Sequence, residues 1–181
     1  EYTGQVVLDC DCDTSGIIDI GWSELLIDGR PPLMRKRVSY ADRLLAKSGE
    51  NRWEPLSFSA GRYVALILRG FTGTVTFRNL GMRATEPSLA WQGHFECSDP
   101  VLNRIAELCV HTIRIGTQEG LMDCPTREQA PYLGDGHLIG RWFGMLTGDW
   151  RQWKYLLSES FARQSPEGLL RDAVFSGHRR S

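Results

Sequence analysis

Up to about residue 92 the apolar positions come in short runs rich in β-branched residues and closed by Gly, Asp and Ser; beyond it they recur every three to four residues. The first rhythm predicts strands. Residues 5–9, 17–22 and 63–69 read as strands, and 38–46 as a strand with polar neighbours. Residues 13–16 read as a turn, Asp28-Gly29 as a hairpin-type turn signal, and Gly49-Glu50-Asn51 as a break. Residues 74–78 alternate polar and apolar, which predicts one wet and one buried face. Many short strands between Gly- and Asp-rich turns predict an antiparallel sandwich. Such a unit reads mainly as scaffold. A carbohydrate-binding face around Trp22 or Trp53 is the other reading, although buried core positions explain tryptophans equally well.

The second rhythm predicts helices. Ser98-Asp99-Pro100 is a helix start, with a capping side chain followed by proline in the first turn. Val101, Leu102, Ile105, Leu108, Cys109, Thr112 and Ile115 follow at helical spacing, and the helix runs out between Gly116 and Gly120. A second helix is predicted over 136–146, with Leu138, Ile139, Trp142, Phe143 and Leu146 as its apolar side. Thr147-Gly148 ends it. Asp149 is placed to cap a third helix carrying Trp150, Trp153, Leu156, Leu157 and Phe161. These aromatic stripes read as core, the usual fate of such faces. Residues 165–168 break the third helix, and 169–181 read as a connection. The chain thus divides into a β-domain over 1–92 and a helical domain over 93–181. Three helices leave apolar faces with too little to pack on, which predicts a piece of a longer protein.

Composition narrows the partners. Lys and Arg number 21 against 22 Asp and Glu, so no basic excess recruits nucleic acid or an anionic membrane surface. No apolar run reaches the roughly 18–20 residues that a membrane-spanning helix needs. The five cysteines, with no secretory leader pattern at the start, suggest free thiols in a reducing, cytoplasmic setting. Cys10 and Cys12 are poorly spaced for a metal, and His94, His111, His137 and His178 sit at no ligand spacing, so neither a metal nor another cofactor is expected.

The chemistry concentrates in residues 123–135, Asp-Cys-Pro-Thr-Arg-Glu-Gln-Ala-Pro-Tyr-Leu-Gly-Asp. Three carboxylates, one arginine and one aromatic ring stand between two helices. An arginine can hold one carboxylate ionised or grip a ligand hydroxyl through its fork of donors. A second carboxyl in a less polar spot has its pKa raised and can donate a proton. Glycoside hydrolysis requires such an acid, together with a second carboxylate that activates water or attacks the sugar. A plainer reading competes: Asp123 bonding loop amides, Arg127 and Glu128 as a surface pair, Asp135 capping the next helix.

Cys97-Ser98-Asp99-Pro100-Val101-Leu102-Asn103-Arg104-Ile105, then Asp123-Cys124-Pro125-Thr126-Arg127-Glu128-Gln129 and Gly134-Asp135, resemble the bacterial α-L-rhamnosidases of glycoside hydrolase family 78. Trp53-Glu54-Pro55 and Arg62-Tyr63-Val64 resemble the β-sandwich that precedes their catalytic domain. The resemblance implies an α+β multidomain architecture, an antiparallel β-sandwich followed by the first helices of an (α/α)6 barrel. It implies cleavage of terminal α-L-rhamnose with inversion. Glu128 would then be the general acid, Asp123 and Arg127 would hold sugar hydroxyls, and Asp135 would line the pocket. Tyr132 would be the aromatic contact, where the family often has tryptophan. The family's general base is a glutamate far downstream. Glu159 sits in an apolar helix and Glu167 in a Pro-Gly turn, so neither fits that role and the isolated chain would hold half of the catalytic pair. The expected partner is a rhamnose-containing glycoside; the oligomeric state is left open. Two other functions remain: a module that binds a rhamnose-containing glycan without cleaving it, and a different sugar specificity on the same barrel.

Overall fold

The computed structural model describes residues 1–35 and 38–174 in two units, one of residues 1–85 and one beginning at Glu86. The first unit is built from antiparallel strands. β1 (Tyr2–Cys12) is the centre of one sheet. It pairs along Gly4–Cys12 with β9 (Val75–Ala84). On its other flank it pairs with β7 (Ser59–Gly61) through Tyr2–Gly4 and with β6 (Gly49–Trp53) through Leu8–Cys12. The second sheet has β2 (Gly16–Ser23) between β5 (Ala41–Ala46) and β8 (Tyr63–Arg69). β3 (Met34–Arg35) and β4 (Val38–Ser39) form a separate small hairpin.

The period of two along β1 and β2 makes the core. Val6, Leu8, Cys10 and Cys12 all face one way from β1, and they pack with Ile18 and Ile20 of β2 and with Ala46. Burial of each large aliphatic side chain here contributes roughly 1.5–3 kcal/mol. Trp22 is buried and Trp53 packs half-buried against this core, so the idea of a sugar-binding face at these two rings is set aside. On the opposite face of β2, Asp19 is covered by cross-strand arginines: Arg43 donates to it from Nε at 2.6 Å and Arg69 from Nη2 at 2.9 Å.

Two expectations for this unit change. Gly49-Glu50-Asn51 is not a break. Gly49 turns the chain at φ +86°, and the Asn51 amide then serves the turn itself. It donates to the carbonyls of Lys47 and Gly49 and accepts the Lys47 N–H. The main chain of 49–51 is thereby free to ladder with β1. The alternation expected over 74–78 also fails to bury one whole face. The β1–β9 register slips between Asp9↔Asn79 and Cys10↔Phe77, leaving Arg78 as an extra residue. The bulge resets the phase, so Val75 before it and Met82 after it both reach the core while Phe77 and Leu80 stay largely exposed. Arg78 then bridges Asp11 and Glu50 on neighbouring strands, at 2.7 Å each.

The second unit holds three helices, α1 (Pro100–Gly116), α2 (Leu133–Thr147) and α3 (Arg151–Ala162). α1 starts as its sequence dictates: the Asp99 carboxylate accepts the Val101 N–H at 2.8 Å, and Pro100 occupies the first turn. Asn103 reaches back to bond both backbone groups of Cys97, fixing the approach to the helix. The α1 stripe Val101, Leu102, Ile105 and Leu108 is about half exposed or more.

α2 differs most from expectation. Phe143 is buried, but Leu138 and Trp142 of the supposed apolar side face outward. The side turned to α3 is a glycine row instead. A methyl group added at Gly136, Gly140 or Gly144 would lie within 3.0 Å of Leu156, Trp153 or Trp150 respectively. The row lets bulky side chains from α3 and its start approach the α2 backbone, so the large groups of one partner fill the gaps of the other. On α3 itself Leu156 is buried, whereas Phe161 is 58% exposed and outside the packed stripe. Gly148, at φ +72°, closes α2 in the left-handed conformation. The N-cap position of α3 falls to Trp150, which has no side-chain cap, and Asp149 one residue earlier accepts the Arg151 N–H at 2.8 Å. Of the connection expected over 169–181, residues 175–181, His178 among them, lie outside the described residues.

Candidate active site

The polar stretch between α1 and α2 is a closed loop, and Asp123 closes it. Its backbone N–H donates to the Ala130 carbonyl at 3.1 Å, and its Oδ1 accepts the Ala130 N–H at 3.0 Å. Ala130 is fully buried and Pro131 beside it is buried, so the loop's exit is anchored in the packed interior while its tip carries the polar groups. The loop's entrance is fixed too: Met122 N–H donates to the Gly116 carbonyl at 3.0 Å, and Leu121 and Met122 are buried.

Within the loop, Cys124 to Glu128 forms a single turn. The Glu128 N–H donates to Cys124 Sγ at 3.3 Å, a sulfur standing where a helix would offer a carbonyl. Gln129 takes φ +51°, uncommon for a residue with a side chain, and its amide donates to the Pro125 carbonyl at 2.9 Å. The hydrogen bond helps to offset the local strain. Burial pushes the Cys124 thiol above its ordinary pKa, and the Asp123 carboxylate beside it adds to the rise.

The carboxylates sit in different surroundings. Glu128 is 21% exposed and in direct ion-pair contact with Arg127, which is 43% exposed. Asp123 is half-buried and tied to the loop backbone. Asp135 lies exposed in the first turn of α2, where the helix dipole favours a negative charge. Tyr132 is the residue that leads into α2, half-buried, its N–H on the Ala130 carbonyl and its own carbonyl accepting the Gly136 N–H at 2.8 Å. A short bridge from Tyr132 to Ala173 backs this corner, with Leu133 N–H on the Asp172 carbonyl at 2.9 Å. Arg163 of α3 holds that backing strand through the Val174 carbonyl at 2.8 Å.

Asp123, Arg127 and Glu128 thus share one loop, with Tyr132 and Asp135 following at the head of α2. Three clefts, of about 460, 570 and 760 Å3, are lined by residues of segments 86–96 and 149–155, by Glu119 and by residues of α1 and α2. Further along the chain, Glu159 is engaged by Arg163 at 3.1 Å, and Glu167 has its carboxyl held below the usual range by the Ser165 hydroxyl. Sequence reading missed Cys124, Gln129 and Ala130 as the loop's internal frame. The visible signal was slight: a cysteine four residues before the glutamate, at the spacing of one helical turn.

Residues 91–178 match the family model of the bacterial alpha-L-rhamnosidase 6 hairpin glycosidase domain. The fold of the chain is also that of solved rhamnosidases. A glycoside hydrolase family 78 rhamnosidase of Bacillus sp. GL1 superposes with a TM-score of 0.83 at 24% identity, covering 97% of this chain and 18% of that one. A rhamnosidase from Klebsiella oxytoca with rhamnose bound gives 0.85 at 16% identity, over 95% and 36%. An alpha-L-rhamnosidase from Dictyoglumus thermophilum gives 0.74 at 22% identity, over 95% and 20%. The chain therefore spans between about a fifth and a third of these proteins. No curated protein sequence matches it significantly.

Proposed function

We propose that this chain supplies the proton-donor side of an inverting α-L-rhamnosidase. The observation that carries the reading is half-buried Glu128 standing on a loop locked by Asp123, within the segment that matches the rhamnosidase domain family. In this reading Arg127 leaves Glu128 for the sugar hydroxyls, and Glu128, then protonated, gives its proton to the glycosidic oxygen as the bond from that oxygen to the sugar breaks. The leaving alcohol carries the proton away. Water attacks the anomeric carbon from the opposite face, and its proton goes to a base that this chain does not contribute. Glu159 and Glu167 are each engaged locally, which supports looking elsewhere for that base.

Arg127 and the carboxylate of Asp123 hold rhamnose hydroxyls, with Tyr132 against the ring and Asp135 at the rim. The substrate is a rhamnose-containing oligosaccharide or glycoside.

The test is a panel of aryl glycosides presented to the complete gene product. Turnover of the α-L-rhamnoside above the other sugars supports the reading. Turnover of another sugar in preference would assign a different specificity to the same fold. Rhamnose binding without turnover of any glycoside would make the loop a recognition surface.

A further inference from the structure

Cys124 is the one group in the loop that joins both ends of the proposed machinery. Its sulfur accepts the N–H of Glu128 at 3.3 Å. Its thiol stands beside the carboxylate of Asp123, which adds to the rise in its pKa, and Asp123 Oδ1 in turn accepts the Ala130 N–H. Burial keeps the thiol protonated at neutral pH, so it can donate S–H to Asp123 while accepting N–H from Glu128. Ordinary thiol roles fit poorly. A reactive cysteine needs a lowered pKa, and this one is raised.

We propose that Cys124 is a positioning residue for proton donation, fixing the Glu128 main chain, and with it the direction of the Glu128 carboxyl, relative to the sugar-holding Asp123. The proposal rests on the assignment of Glu128 as the acid and goes beyond it by naming what aims that acid. The turn over residues 125–128 has Pro125 at its start and Gln129 in the left-handed region at its end, so the sulfur bond is the tie across its middle. Without it the Glu128 N–H loses its partner, and the turn is free to relax by the few tenths of an ångström that matter for proton transfer. A neutral hydroxyl at the same place keeps both the donor and the acceptor, with a shorter reach.

The experiment compares Cys124→Ala, Cys124→Ser and Glu128→Gln in the complete gene product. It uses two rhamnosides, one with an activated aryl leaving group and one with an alkyl or sugar leaving group. Activated substrates depart with little protonation; the others depend on it. Cys124→Ala is expected to lower kcat roughly tenfold on the unactivated substrate, the scale of one unpaired buried donor. The loss on the activated substrate should be clearly smaller, with KM little changed. Cys124→Ser should recover most of the loss. An equal loss on both substrates, or wild-type kcat on both, overturns the positioning role. Should Cys124→Ala fold poorly, the same comparison made with Cys124→Ser alone decides: a small loss confined to the unactivated substrate supports the role, and no leaving-group dependence removes it. Glu128→Gln separates the two claims. If that variant shows no leaving-group dependence, the acid assignment itself falls and takes this inference with it.

Discussion

Asp123 carries two duties at once. One oxygen closes the loop on Ala130, and the proposal also gives the carboxylate a sugar hydroxyl. The duties separate by substitution. Asp123→Asn retains an oxygen for the Ala130 N–H, whereas Asp123→Ala leaves that buried donor unpaired. Rhamnose affinity, read by calorimetry on the complete gene product, is expected to fall in both variants and further in the alanine variant, by roughly tenfold or more. Unchanged affinity in Asp123→Ala would leave the residue a purely structural one. The residue types of this loop were legible because carboxylates, arginine and an aromatic ring rarely crowd into thirteen positions without a task. Their division of labour was not. That Asp123 is turned partly inward depends on Ala130 being buried seven residues later, a contact that no spacing rule encodes.

At the scale of elements, the α2–α3 pair rests on the row Gly136, Gly140 and Gly144. Alanine normally favours a helix over glycine by about 1 kcal/mol. At Gly140 the added methyl would meet both Trp153 and Leu121 within 3.0 Å, and overpacking of this kind costs typically 1–3 kcal/mol. Gly140→Ala should therefore lower the thermal midpoint. Gly134→Ala, in the same helix with nothing within 4 Å of the new methyl, should raise it slightly. Thermal unfolding followed by circular dichroism distinguishes the two, and the opposite order would remove the glycine row from the packing account. The helix itself was readable from its apolar period and its glycine end at Gly148. Its buried face was not, because the apolar residues Leu138 and Trp142 outweigh three glycines in any hydrophobic pattern, although it is the glycines that admit the neighbour.

The β-unit makes a similar point. Asp19 looked like an ordinary polar residue in a strand, yet the Arg43 hydrogen bonds, outweighing burial, and the charges of Arg43 and Arg69 hold its carboxyl below its usual pKa. A carboxyl with a depressed folded-state pKa adds stability above its unfolded value of about 4. That stability fades as pH falls through the lower, folded value. Asp19→Asn is expected to flatten the acid side of the stability profile and leave the alkaline side parallel to wild type. Parallel acid limbs in urea titrations across pH 2–6 would show that the cross-strand pair contributes nothing.

For the whole molecule, the outward stripe on α1 and the exposed Leu138, Trp142 and Met145 of α2 make a wide apolar surface. Surfaces of this kind on a free protein promote association. The 181-residue chain expressed alone is expected to self-associate in light scattering, and a sharp monomer peak at high concentration would contradict that. That strands precede helices was legible in the change from period two to period 3.6; the structure divides its two units between Thr85 and Glu86. The bulge at Arg78 and the Asn51-built turn were hidden, because each depends on the neighbouring strand and not on its own sequence.

The central claim is that Glu128 donates the proton that releases the leaving group. Its most direct test is kcat for Glu128→Gln in the complete gene product across rhamnosides of rising leaving-group pKa. The account predicts a loss of roughly 10²–10⁴-fold on the least activated substrates, shrinking steadily as the leaving group improves. Wild-type turnover of an unactivated rhamnoside by Glu128→Gln, or a loss that is the same for every leaving group, would contradict it.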